Sequence, residues 1–218
     1  MYKPYKDVIK RVFPNAIIAV DSFHVIEHLN RAIDDLRITV MNKYNKKTSK
    51  IIDNDSFYYY LKRYHYFFTK DYDNIYSGYI KVPKFKIKVK KEYILKHLLS
   101  IDKRLTKMYT LKEDYRFFSK HSTNNDLLTL GKLESFIHEF SICSHNKFKE
   151  FGKTLSNWKE EILNSFIHIN DKRLSNGPIE SVNSRIKIII KNGCGYTDFE
   201  RLRKRIMYCI NKIQPWNK

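Results

Sequence analysis

Residues 174–191 read LSNGPIESVNSRIKIIIK, and the way this stretch folds decides how the chain around it is read. Ser175, Asn176 and Gly177 form a turn that runs into Pro178. Proline suits the first turn of a helix, because the N–H it lacks would have no intrahelical partner there. Asn176 or Ser175 can cap the freed amides, and the carboxylate of Glu180 suits the positive end of the helix dipole. Beyond the turn, Ile179, Val182, Ile186 and Ile189 recur on one face at helical spacing. Glu180, Asn183, Ser184, Lys187 and Lys191 recur on another. The local pattern alone leaves two readings of Glu180, a surface acid that helps cap an amphipathic helix or a functional carboxylate.

Composition sets the surroundings. The chain has 218 residues, enough for one domain or a small domain with an insertion. With only 6 Gly and 5 Pro it reads as long helices rather than loop-rich β structure. Its 42 Lys+Arg against 23 Asp+Glu give a net charge of +19, a field that attracts polyanions, of which nucleic acid is the commonest. The abundance of Lys, Ile, Asn, Tyr and Phe also fits A/T-rich coding, which accounts for part of the excess. Cys143, Cys194 and Cys209 are odd in number and lack metal-ligand spacing, so they read as free thiols in a reducing compartment. No run approaches the ~20 apolar residues of a membrane span, and residues 1–11 carry no signal-type apolar stretch. A cytosolic protein is expected.

Along the chain, residues 2–13 read as a short helix ended by Pro14 and Asn15. Residues 16–20, AIIAV, are a continuous apolar run that predicts a strand buried on both faces. A lone strand cannot satisfy its own backbone, so its neighbours are expected to lie outside this chain, as in a fragment. Asp21 stands at the end of that run, where α/β sheets place functional groups, and His24 lies one turn into a helix predicted over 22–44. Phe23, Ile26, Leu29, Ile33, Leu36 and Val40 would be its buried stripe. Asp21 or Ser22 as a plain N-cap is the alternative. Asp53 and Asn54 break the pattern. Residues 57–68, FYYYLKRYHYFF, form a helix with an aromatic face, read as core, with stacking on unpaired bases as the other use. Residues 85–90, FKIKVK, alternate and predict an exposed strand or a basic loop. One or two helices follow to about Lys120, then a turn with Thr123 or Asn125 as caps, helices over 126–144 and 147–169, the opening stretch, and a last helix over 197–213.

Four segments in this order resemble the DDE insertion-sequence transposases of the ISL-three group. They are PNAIIAVDSFHVIEHLN (14–30), LTKMYTLKEDYRFF (105–118), LSNGPIESVNSRIKIIIK (174–191) and GCGYTDFERLRKRI (193–206). The resemblance covers essentially the whole chain. It implies a mostly α chain with a small β remnant, the C-terminal portion of an RNase H-like domain interrupted by an all-helical insertion. On that division residues 1–50 hold the last strand and its flanking helices, 51–172 the insertion, and 173–218 the helices that complete the core. The chemistry implied is metal-dependent DNA cleavage and strand transfer, with Mg²⁺ or Mn²⁺ activating a nucleophile and stabilising the leaving oxygen.

Residue by residue, Glu180 matches the family's catalytic, metal-binding Glu. Asp21 and His24 match its D-x-x-H element, Asp21 as an accessory group or as the second metal-binding acid, His24 as accessory. Asn183, Arg185, Lys187 and Lys191 are the implied DNA contacts. The partners implied are double-stranded DNA at the element's terminal repeats and another copy or an intact transposase, in a bacterial-type cytoplasm near the nucleoid and not in a membrane. In relatives an Asp-Met pair precedes the PNA block, and here the chain begins at Met1. The first two catalytic acids are therefore expected upstream, and the chain alone is expected to be inactive. The alternative is a non-enzymatic basic helical module that binds DNA or pairs with, and inhibits, a complete transposase.

Overall fold

The computed structural model describes residues 3–45, 55–76, 78–83, 86–122, 126–169, 172–173 and 176–211. These fall into two compact units, Met1–Leu174 and Ser175–Lys218. The chain is mostly helical, with two small two-stranded sheets among the described residues.

The first unit is built on α2 (Ser22–Lys43) and α6 (Lys103–His121), which pack on each other; α2 also packs on α8 (Asn146–Asn157). The stripe Val25, Leu29, Ala32, Ile33, Leu36 and Val40 of α2 is buried as its helical spacing requires. Phe23 is not part of it. It is 69% exposed, because at 3.6 residues per turn it falls roughly 160° round the helix from Val25, away from the buried stripe. Against α2 and α6 lie α7 (Leu127–Ser141), α8 and α9 (Lys159–Asn164), joined by an aromatic cluster. Tyr115 of α6 touches Phe118, Phe136, Phe140 and Phe151, mostly edge to face. On the other side α3 (Asp55–Arg63) leads through Tyr64 into a 3₁₀ turn, His65–Phe68. Leu61, Tyr64, Phe67 and Phe68 are buried, so the aromatic face of this segment is core. Next come α4 (Tyr72–Tyr76) and an antiparallel hairpin, β1 (Tyr79–Val82) with β2 (Ile87–Lys90), which runs straight into α5 (Lys91–Ser100). The alternating lysine segment is thus a strand from Ile87 onward.

The expected buried strand at 16–20 is not one. After α1 (Lys3–Val12) the chain runs extended, but among the described residues no strand lies beside it, and Ile17 is 71% exposed. Its backbone polar groups are met by α9 instead. Val20 N donates to the Glu161 carbonyl (3.0 Å), and Asn164 Nδ2 donates to the Ile18 carbonyl (3.0 Å). A backbone without a ladder neighbour must find other partners, and only Val20 of the run is buried. The expected helix over 147–169 is likewise interrupted. Trp158 leaves helical geometry (φ −118°, ψ 22°) between α8 and α9, and His168–Ile169 (β3) pairs with Lys172–Arg173 (β4).

Aspartate caps start three of the longer helices, α2, α6 and α7. Asp126, and not the earlier candidates Thr123 and Asn125, caps α7 by accepting from Thr129 N at 2.7 Å; those two lie outside the described residues. Asp102 caps α6 by accepting from Arg104 N (2.9 Å) and pairs with the Arg104 guanidinium (2.7 Å). Hydrogen bonds from Arg104 hold its carboxyl down to about 2 against the opposing push of burial. That folded value lies below the ~3.9 of an unfolded Asp. Its stabilisation is therefore complete above about pH 4 and is lost as pH falls through 2. Asp102→Ala is expected to cost ~1–2 kcal/mol at neutral pH. In urea melts the gap to wild type should narrow on acidification towards the pH at which Asp102 protonates.

The second unit is α10 (Gly177–Asn192) packed on α11 (Phe199–Asn211). The turn between them needs glycine at Gly193, because the Tyr196 ring lies within 2.1–2.9 Å of where a Cβ would stand. Gly195 follows at φ +105°.

Candidate active site

The D-x-x-H element sits at the start of α2. Asp21 is its N-cap (φ −63°, ψ 123°), and Oδ1 accepts from Phe23 N at 2.8 Å. His24 N donates to the Asp21 carbonyl at 3.1 Å. The His24 ring is half exposed, stands edge-on to Phe23 and has Nδ1 3.9 Å from Glu27 Oε2. Glu27 is itself engaged by Arg31 at 2.5 Å. Both residues are thus presented at a surface, with one carboxylate oxygen of Asp21 committed to the helix.

Sequence reasoning passed over the cation that faces this element. Arg173 is half-buried on β4 and spreads its guanidinium over the ends of two helices. Nε donates to the Ser165 carbonyl at 2.9 Å, Nη2 to Ser165 Oγ at 3.2 Å, and Nη1 to the Ser119 carbonyl. Its Cζ lies 4.7 Å from the Phe166 ring centroid. Carbonyls at helix C-termini carry partial negative charge, so a guanidinium is a natural plug for them. Burial lowers its pKa from the ordinary arginine value, while Tyr115 and the carboxylate of Asp21 push the other way. The signal for Arg173 in the sequence was only its position directly before the 174–191 stretch.

A cleft of about 810 Å³ runs from Ser22 and Arg173 along α6 to Glu113, Arg116 and Lys120. Of residues 111–113 (LKE), Glu113 lines it, while Lys112 lies behind the wall. Lys112 is fully buried, with Nζ 2.7 Å from the Phe68 carbonyl, 2.6 Å from Glu113 Oε1 and 4.5 Å from the Tyr109 ring centroid. Burial lowers its pKa, and the Glu113 carboxylate partly restores it. One turn on, Arg116 donates to the Thr69 carbonyl (3.0 Å) and pairs with Asp71. Glu92 pairs with Lys96 (2.6 Å), and Asp73 lies 3.7 Å from Lys120. Asp114 also lines the cleft, so its acids outnumber its lysines and arginines, and it offers no excess positive charge for a polyanion.

Glu180 belongs to the second unit. It is exposed in the first turn of α10, and its N–H donates to the Asn176 carbonyl at 2.9 Å. Asn176 holds the N-cap position without a side-chain capping bond, and Ser175 lies outside the described residues. At 3.6 residues per turn, Glu180, Asn183, Ser184, Lys187 and Lys191 share one stripe of α10, and all five are exposed. Val182, Ile186 and Ile189 lie on the opposite side and are half-buried. Arg185 is exposed on the flank, roughly 140° round the helix from Glu180. The stripe therefore carries one carboxylate at the positive end of the helix and two ammonium groups further along.

A divalent cation of the Mg²⁺ kind needs several carboxylate or phosphate oxygens. Among the described residues no three His, Cys, Asp or Glu side chains gather to hold a metal ion. Among them, too, no helix is long and apolar enough to cross a membrane.

A family model described as a transposase, that of the ISL-three group of DDE enzymes, matches residues 1–206. No curated protein and no solved structure matches the chain. With nearly its full length matched in order, the chain belongs to the ISL-three family of DDE transposases.

Proposed function

We propose that this chain supplies the later catalytic elements of a DDE transposase, acting on duplex DNA in the cleavage and joining steps of transposition. The observation that carries the reading is the α10 stripe, with Glu180 exposed beside Asn183, Lys187 and Lys191. Lysines on one face neutralise phosphates, and an acid among them, besides suiting the helix N-terminus, can hold a cation against a phosphate. In this reading Glu180 is the metal-binding carboxylate of the family's last core helix. Asp21 is a second acid or accessory group, and His24 is accessory beside it. Arg185 flanks the DNA contacts. Residues 1–50 and 173–218 belong to an RNase H-like core and 51–172 to its helical insertion; family membership is what supports this division.

With only Asp21 and Glu180 as candidate ligands, the chain alone is expected to leave duplex DNA uncut in Mg²⁺ or Mn²⁺. Cleavage that Glu180→Gln abolishes would contradict that. A second reading is a basic module that binds DNA or pairs with a complete transposase without cutting, which the net charge of +19 suits with no catalysis required. The first reading, and the DNA-binding form of the second, place α10 on the duplex. Lys187→Gln/Lys191→Gln should flatten the slope of log affinity against log salt by ~1.8. An unchanged slope would remove α10 from the interface.

A further inference from the structure

We propose that the β1–β2 hairpin is a second duplex-DNA contact, a lysine-faced ribbon that grips the phosphate backbone. The inference rests on the reading that this chain handles DNA, but it concerns residues that neither the α10 stripe nor the D-x-x-H element includes.

The hairpin's register is Tyr79↔Lys90, Ile80↔Val89, Lys81↔Lys88 and Val82↔Ile87. Because side chains alternate along a strand, the pairing sorts them onto two faces. Ile80, Val82 and Val89 turn inward: Val82 is fully buried, and Ile80 and Val89 pack against the core. Tyr79, Lys81, Lys88 and Lys90 turn outward, and all four are exposed. A slip of one residue would bury the lysines, so the apolar face locks the basic face outward. The mount is closed at its base by the Lys91 N–H donating to the Gly78 carbonyl at 3.1 Å, with Gly78 at φ +106°.

This face is unfavourable as it stands. Lys81 lies directly opposite Lys88, and like charges across a strand pair destabilise it. Lys90 also holds the N-cap of α5, at the positive end of a helix dipole. The ribbon carries no acid of its own, and the acids nearest in sequence serve other cations: Glu92 pairs with Lys96, and Asp73 faces Lys120. A polyanion would offset these repulsions together. Duplex DNA suits the shape, because a two-stranded ribbon fits its major groove. Lys88 and Lys90 stand roughly 6.8 Å apart along the strand, a spacing that lets them meet neighbouring phosphates of one DNA strand. Tyr79, 66% exposed beside them, can donate its hydroxyl to a phosphate oxygen. The contact is to backbone, so it is independent of sequence.

Lysines on exposed strands also discourage edge-to-edge aggregation, a use with no consequence for DNA. The full chain, titrated onto a labelled duplex of arbitrary sequence over a range of salt, separates the two. Lys81→Gln/Lys88→Gln/Lys90→Gln should flatten the slope of log affinity against log salt by ~2.7. Between ~50 and ~200 mM salt, wild type should then lose about 40-fold more affinity than the variant. The matching arginine triple should keep the wild-type slope. Lys132→Gln/Lys149→Gln/Lys153→Gln, on α7 and α8, should leave it nearly unchanged. A hairpin variant with the wild-type slope, or a control triple with an equal loss, overturns the proposal while leaving the DNA reading intact. A wild-type chain that binds no duplex overturns both.

Discussion

Lys112→Ala is expected to destabilise the first unit by ~3–5 kcal/mol, because it opens a cavity and strips a carbonyl and a half-buried carboxylate of their donor. Lys112 is fully buried, and its ammonium links α6 to the Phe68 carbonyl at the end of the 3₁₀ turn while pairing with Glu113. Alanine leaves that carbonyl and that carboxylate without a donor, and also opens a cavity where the four-carbon stem lay. At this chain length each kcal/mol moves the melting temperature by ~2–4 °C, so a fall of roughly 10 °C is expected. Lys112→Met with Glu113→Gln should recover part of it, since both charges leave together and the volume stays. A Lys112→Ala chain that melts within ~2 °C of wild type would contradict this account.

Phe140→Ala should cost a similar ~3–5 kcal/mol, through cavity formation alone. The Phe140 ring is fully buried where α7 meets α8: stacked on Phe148 at 6.0 Å and edge-on to Phe151 at 4.9 Å, with Tyr115 at 6.1 Å. The helices approach closely there. A Cβ on Gly152 would come within 2.9 Å of Ser141 Oγ and 3.1 Å of Phe140 Cβ. So tight a seam cannot collapse into the space of a missing ring. Phe117, on α6, is 66% exposed, and Phe117→Ala should stay within ~0.5 kcal/mol of wild type. Paired thermal melts of the two variants check the contrast.

What could be read from the sequence was periodicity and capping chemistry. The apolar stripe of α2, the core use of the aromatic segment ending at Phe68, and the polar and apolar sides of α10 all follow from spacing. What could not be read depended on neighbours. AIIAV has the composition of a buried strand, but a strand is defined by what lies beside it, and here α9 takes two of its backbone groups. Phe23 lies three residues before Ile26 and by that spacing reads into the stripe, yet the buried face centres on Val25, Leu29, Ala32 and Leu36 and leaves Phe23 outside. The roles of Lys112 and Arg173 were hidden for another reason. In a chain with 42 Lys and Arg, nothing in a sequence marks the two cations that plug carbonyls inside the fold. Asp21 and Glu180 were legible as candidates only because the surrounding blocks resemble a family.

The most direct measurement is the affinity of wild-type and Glu180→Gln chains for the same duplex DNA in the presence of a chelator. If Glu180 faces a phosphate among the lysines of α10, it repels DNA when no cation lies between them. Removing one charge at ~4 Å in water is worth about 1 kcal/mol, so Glu180→Gln should bind roughly fivefold more tightly. If Glu180 only caps the helix, the variant loses some of the ~0.3–1 kcal/mol of dipole stabilisation and binds DNA as wild type does. Equal affinities would contradict the assignment of Glu180 to the DNA-facing active site.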